Sequence, residues 1–279
     1  MNFDAPDVYQ LYYAEEVGTP GTVMTYFPFQ GMVKGRRGAG EVTETAFAIP
    51  KGTLPYWNER LAAHAVAGLE VQDRFGDHRL RFLGPDGDEL VLAEVEEDVR
   101  QAFKEGPVPQ DRSIHGFRSA TLRLRDEGAT AELLRFRGYE ERERHGNLIR
   151  FGIKEGNGAD LVDIEVQPDA DVARQGAGSV HHIAFAVEDR AAQVAVRQAL
   201  LDTGFQVTPV IDRDYFRAIY FRTPGDVLFE IATGEPGFDR DEDIAHLGEE
   251  LRIPAQHEHL RSRVEARLEP RAEPGARRP

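Results

Sequence analysis

Two adjacent histidines, His181 and His182, stand at the head of an apolar run, Ile183-Ala184-Phe185-Ala186-Val187. Further along, the run Leu228-Phe229-Glu230-Ile231 carries a carboxylate in an otherwise apolar strand. Imidazole and carboxylate from two strands of one sheet form part of a divalent-metal site, commonly two His and one carboxylate with open positions for Fe(II) chemistry. The chain has no cysteine, which excludes disulfides and thiolate sites and leaves His, Asp and Glu as the strong ligands.

Side chains alternate along a strand, so His182 shares a face with Ala184 and Ala186, whose small side chains leave room for a metal and a substrate. The competing reading of His182 is a core histidine satisfied by a hydrogen bond. Glu230 lies between Phe229 and Ile231 on a strand expected to be buried, where an unpaired carboxylate is costly and needs a cation or strong donors. An internal salt bridge to Arg222 or Arg213 is the alternative. By the same alternation His181 is expected to face away from His182, which leaves it unable to ligate the same ion.

The elements that must position these groups read as repeats. Thr45-Ala46-Phe47-Ala48-Ile49, Ala120-Thr121-Leu122-Arg123-Leu124 and Ile183 to Val187 are three short strands, each followed by a helical stretch closing on a glycine (Gly68, Gly138, Gly204). Thr130 and Asp189 are the expected N-caps of the second and third helices. Hairpins around Pro/Gly/Asp turns complete the units: Arg81 to Leu92, Leu148 to Val166 and Tyr220 to Glu230. The unit is β-α-β-β-β, seen three times. At the position of His182 the other two units carry Glu44 and Ser119. The second unit offers Leu92 where the last has Glu230, allowing one inserted residue in the turn.

The chain opens with two further strands, Val8 to Tyr13 and Val23 to Phe27, which resemble the back half of a fourth unit. An even number of units can pair into two curved sheets, whereas three and a half leave an open edge. The expectation is therefore an α+β fold of four β-α-β-β-β modules, the first one incomplete at its N-terminal end. The organisation expected is an N-terminal domain over 1–105, a C-terminal domain over 110–238 with the metal site, and an extension over 239–279 with a disordered end.

Composition bounds the function. The net charge of −15 supplies no basic footprint for nucleic acid or an anionic membrane. No apolar run reaches the length of a membrane span and no signal peptide opens the chain, so a cytoplasmic location is expected. Gly35-Arg36-Arg37-Gly38-Ala39-Gly40 lacks the Lys-Ser/Thr of a phosphate loop and precedes a strand, so it reads as a flexible connection. His257 and His259 fall in a polar tail, and His64, His78, His115, His145 and His246 have no partner pattern.

With these motifs the chain resembles the vicinal oxygen chelate superfamily, and more narrowly its hydroquinone-type ring-cleaving dioxygenases. The resemblance is carried by residues 2–29, GRRGAG at 35–40, SVHHIAFAV at 179–187, the stretch from Val207 to Thr233, and EPGF at 235–238. It implies that His182 and Glu230 are Fe(II) ligands, with Mn(II) equally compatible with the donor set. The family's third ligand is the second histidine of another His-His pair on the first-module strand, expected upstream of Met1. A chain lacking that segment would have an incomplete triad and impaired activity. The resemblance makes His181 a residue that orients or protonates substrate, against the plain reading of a surface histidine. Arg213 would hold a phenolate oxygen and Tyr220 would hydrogen-bond substrate or dioxygen, with Arg217 and Tyr215 as rivals. The implied activity is Fe(II)-dependent extradiol-type cleavage of a hydroquinone or related dihydroxylated aromatic, with that small aromatic and O2 as partners. A glyoxalase-like metal-dependent lyase or isomerase, and a metal-free aromatic-binding protein, are the alternatives. Assembly into a homo-oligomer stays open.

Overall fold

The computed structural model describes residues 2–104, 106–154 and 156–268. Three complete modules follow one another. The first comprises β3 (Glu41–Pro50), α1 (Leu54–Ala63), β4 (Glu70–Arg74), β5 (Asp77–Leu83) and β6 (Glu89–Val95). The next comprises β7 (Gly116–Leu124), α2 (Gly128–Phe136), β8 (Glu140–His145), β9 (Leu148–Gly152) and β10 (Leu161–Val166). The last comprises β11 (Ile183–Val187), α3 (Arg190–Asp202), β12 (Ile211–Asp212), β13 (Arg217–Arg222) and β14 (Leu228–Thr233). In each, the first strand runs parallel to the last and the strands between are antiparallel. The helix supplies the crossover that a parallel pair requires. Ahead of them, β1 (Leu11–Tyr13) and β2 (Met24–Tyr26) form a two-stranded antiparallel sheet, the back half of a module.

Modules join through their first strands. β3 and β7 pair antiparallel at the centre of an eight-stranded sheet of order β4-β5-β6-β3-β7-β10-β9-β8. The last module forms a four-stranded sheet, β11-β14-β13-β12, in which β11, the counterpart of β3 and β7, is an edge. The hydrogen-bonded ladder thus crosses residues 106–109. The main apolar core instead lies under the last two modules, where Leu122, Leu134, Phe151 and Ile164 pack in one cluster with Leu200, Ile219, Phe221 and Phe229. A separate cluster of Ile49, Leu54, Trp57, Leu80 and Leu92 fills the module before them.

Local chemistry explains the helix starts. Asp189 caps α3 as expected, its carboxylate accepting from the Ala192 amide at 2.8 Å. Thr130 is not the cap of α2. Asp126 accepts from the Gly128 amide at 2.9 Å and starts the helix earlier, which places Thr130 inside it and buried.

The Gly35–Gly40 segment is not a flexible connection either. It lies against residues 172–177 through bridges Lys34 to Ala177, Arg36 to Arg174 and Ala39 to Val172. The two connectors match in sequence, Arg37-Gly38-Ala39-Gly40 against Gln175-Gly176-Ala177-Gly178, and cross about an approximate two-fold at Arg36 and Arg174. A Cβ on Gly38 would sit 2.2 Å from the Asp171 carbonyl oxygen, and one on Gly176 would sit 2.4 Å from that of Val33. Close backbone approach, rather than freedom of movement, requires glycine at both positions.

Of the C-terminal extension, α4 (Arg261–Glu265) and the turns before it enclose Ile253 and Val264. They reach the N-terminal segment through Arg267 and Asp7 at 2.5 Å. The expected disordered end, from 269 onward, lies outside the described residues.

Candidate metal centre

The open face of β11 and β14 brings together most of the residues singled out in the sequence. Ala184 and Ala186 are exposed while Ile183, Phe185 and Val187 turn toward the core, as alternation requires. The parallel register sets Ala184 opposite Glu230, and the antiparallel register sets Tyr220 opposite Glu230. Directly opposed residues project from the same face. Glu230 and Tyr220 therefore converge on the side where the alanines leave space.

Glu230 is 3% exposed. Its Oε2 lies 2.8 Å from His182 Nε2. Its Oε1 is buried without a hydrogen bond. Its partner is His182 and neither candidate arginine: Arg222 turns back to Asp226, and Arg213 reaches Asp4 at 3.0 Å. The 2.8 Å contact accords both with one half of a metal pair and with a histidine satisfied by a hydrogen bond.

His181 departs from the expectation that it faces away. Both histidines precede β11, where strand alternation does not bind them, and Nδ1 of His181 lies 2.8 Å from Nδ1 of His182. Burial, then the neighbouring His182 and Arg222, hold the His181 imidazole below the usual histidine range. Its ring stands edge-on to Phe27, just past β2, with centroids 6.4 Å apart.

Arg213 and Tyr220 pair: the guanidinium Nε donates to the Tyr220 hydroxyl at 3.3 Å and stands over the Tyr220 ring. The rivals go elsewhere, Arg217 to Asp212 and the Tyr215 hydroxyl to Asp241. Burial and the Glu230 charge push the Tyr220 hydroxyl well above the tyrosine range, so it stays protonated as a donor. Burial alone would lower the Arg213 guanidinium, but Tyr220 and Asp4 outweigh it and raise it.

An orphaned, buried carboxylate oxygen beside an imidazole nitrogen suits a cation, since leaving such an oxygen unsatisfied is costly. Among the described residues, no group of three His, Cys, Asp or Glu side chains converges on one point. His182 and Glu230 thus fit two of the three protein positions of a two-His, one-carboxylate centre.

The sequence reading missed a second cluster. Leu161-Val162-Asp163-Ile164 on β10 repeats the pattern around Glu230, and Asp163 lies opposite Thr121 as Glu230 lies opposite Ala184. Asp163 is fully buried and chelated by Arg150 at 2.8 and 2.9 Å. Arg150 continues to Asp77 at 2.6 Å and Asp77 to Arg118 at 3.1 Å. Beside them Glu44, in the slot of His182, accepts from Arg74 and Arg79. Guanidinium groups contact these carboxylates directly, whereas neither Arg213 nor Arg222 reaches Glu230. In the neighbouring module the register sets Val91, not Leu92, in the slot of Glu230, because no residue is inserted before β6.

The fold and this face define a member of the vicinal oxygen chelate superfamily. Glyoxalase I from Zea mays has the same fold at 11% identity, with a TM-score of 0.60 over 84% of this chain and 81% of that one. Within the superfamily the chain belongs to the ring-cleaving dioxygenases and is an oxidoreductase of that kind. It is 38% identical to MhqO of Bacillus subtilis, named a ring-cleaving dioxygenase, over 97% of this chain and 86% of the relative. It is 36% identical to a chlorohydroquinone/hydroquinone 1,2-dioxygenase of Sphingobium indicum, over 93% and 83%. A crystal structure of a Bacillus subtilis protein named as a dioxygenase superposes with a TM-score of 0.92, at 38% identity, over 97% of this chain and 86% of that one. No protein-family model matches the chain. Among the described residues no helix is long and apolar enough to cross a membrane.

Proposed function

We propose that this chain is an Fe(II)-dependent dioxygenase of extradiol type that opens the ring of a hydroquinone or a related dihydroxylated aromatic, with the cytoplasm as its compartment. The observation that carries the reading is the buried, unpartnered Oε1 of Glu230 beside His182, on a face that also holds Arg213 and Tyr220. His182 and Glu230 would hold the metal, which when bound supplies a common centre for ring oxygen and dioxygen. Mn(II) would suit the same donors.

The chain's own groups do the rest. Arg213 carries a fixed positive charge suited to a phenolate oxygen, and Tyr220 adds a neutral donor beside it. His181, held largely neutral by its surroundings, can accept a proton from a substrate hydroxyl at a ring nitrogen and return it later. The similarity to a hydroquinone 1,2-dioxygenase favours hydroquinone over catechol.

The test is oxygen uptake after anaerobic loading with Fe(II), using hydroquinone and catechol, on this chain and on a form extended upstream. The expected result is one O2 consumed per ring opened, with hydroquinone preferred and the extended form faster. An extended protein that binds Fe(II) yet takes up no O2 with either diol overturns the reading.

A further inference from the structure

One side chain of the β1–β2 hairpin stands in a slot that recurs in every module. In each complete module a residue of the third strand stands opposite the central position of the last strand: Arg81 opposite Val91, Arg150 opposite Asp163, and Tyr220 opposite Glu230. These side chains project onto the open face of their sheet. Arg150 grips Asp163, and Arg81 lines a cleft of about 240 Å³ with Glu44, Arg74 and Thr121. Tyr220 stands edge-on to His182 at 5.8 Å.

The hairpin carries the same slot. Thr25 precedes Gly38 by the same 13 residues that separate Asp163 from Gly176, and these two glycines occupy matched places in the crossing connectors. Thr25 therefore corresponds to Asp163. The residue opposite Thr25 is Tyr12, the counterpart of Arg150 and Tyr220. Its ring packs edge-on against Phe238 at 4.8 Å and Tyr215 at 6.4 Å, both of which belong to the region around the last module. Burial and then the charge of Glu230 push its hydroxyl far above the tyrosine range, with Tyr220 and Arg213 also acting on it, which sets the phenol within electrostatic reach of the centre.

We propose that Tyr12 is a substrate-binding residue that donates a hydrogen bond to the distal hydroxyl of a 1,4-dihydroxylated ring whose near oxygen lies by Arg213 and Tyr220. This rests on the dioxygenase reading above and adds to it a specificity determinant. A phenol on the hairpin and one on β13 face the site from two modules, which suits a ligand with oxygens at opposite ends of its ring. A ring with adjacent oxygens can present both to one side only.

The test is calorimetric binding of hydroquinone and of phenol, under argon, to the full chain loaded with Fe(II), in wild-type and Tyr12→Phe forms. The substitution keeps the ring that packs on Phe238 and Tyr215, so folding is retained and is checked by circular dichroism. Loss of one hydrogen bond to substrate is worth on the order of tenfold in affinity. Hydroquinone binding should weaken about tenfold, while phenol, which lacks the distal hydroxyl, should change by less than about twofold. In turnover, KM for hydroquinone should rise with kcat little changed. Equal losses for both ligands, or no loss for hydroquinone, overturn the assignment of Tyr12 and leave the dioxygenase reading standing. Wild-type protein that binds neither ligand sinks both.

Discussion

Glu230 and Asp163 occupy one slot of one strand in two modules, yet their surroundings have opposite consequences. Asp163 has both oxygens taken by Arg150, so its charge is compensated within the protein. Glu230 keeps one buried oxygen unsatisfied beside an imidazole. The first arrangement is closed within the protein; the second leaves an oxygen that a cation would satisfy. Replacing Arg150 by Met should therefore cost about 3–5 kcal/mol, because Asp163 is left as an uncompensated buried charge. Arg150→Met combined with Asp163→Leu should recover most of that loss, since Asp77 retains Arg118. Urea unfolding of the two variants checks the pair, and equal destabilisation in both would contradict it. Glu230→Gln should act in reverse. Stability should hold or rise slightly, because the amide removes a buried charge, while Fe(II) affinity falls by on the order of a hundredfold or more. Metal content after dialysis, read together with the melting curve, separates this from simple unfolding.

At the scale of elements, the joints between repeats depend on glycine and on caps. Gly38→Ala places a methyl group against the Asp171 carbonyl, where backbone rather than a mobile side chain must give way. The expected cost is about 1–3 kcal/mol, as for overpacking elsewhere. Gly52, on an open turn, meets nothing within 4 Å, but its φ of +82° would still strain an alanine. Gly38 does not have a positive φ, so its loss should read out as connector displacement: thermal unfolding of Gly38→Ala should come with altered chemical shifts on both sides of the crossing. Asp189→Ala should cost about 1 kcal/mol through the lost α3 cap. Most of these elements were legible in the chain, because apolar alternation and recurring turns mark β-α-β-β-β units one by one. His182, Glu230 and the alanine-lined face were legible for the same reason. What pairs with what was not. The crossing of the two connectors depends on contacts between residues far apart in sequence, and a glycine needed for close approach reads like one needed for flexibility. Thr130 misled because Asp126 competes for the same helix start. Asp163 and Tyr12 were overlooked because their meaning comes from register, which fixes who faces whom only once the strands are paired.

At the scale of the whole molecule, the eight- and four-stranded sheets differ in what lies beside the first strand of a module. β3 and β7 satisfy each other's outward backbone groups, whereas among the described residues β11 has β14 on one side and no strand on the other. An edge of unpaired N–H and C=O groups is a template for one more strand, and this edge begins immediately after His182. By the approximate two-fold that relates the connectors, the place beside β11 matches that of β3 beside β7, and a first strand for the module whose back half is β1 and β2 would fit it. A strand seated there would run beside His182 as β7 runs beside Glu44, so the same addition that closes the sheet would bring its side chains to the face of His182 and Glu230. Hydrogen exchange tests the arrangement without reference to activity. In the present chain the outward amides of β11 should exchange far faster than those at the β3–β7 junction, which are locked in a central ladder. In a chain extended upstream of Met1, the β11 amides should become protected and Fe(II) affinity should rise in the same protein. Protection without tighter metal binding would mean that the added strand completes the sheet but not the site. Unchanged exchange at β11 would mean that this edge is not where the first module closes.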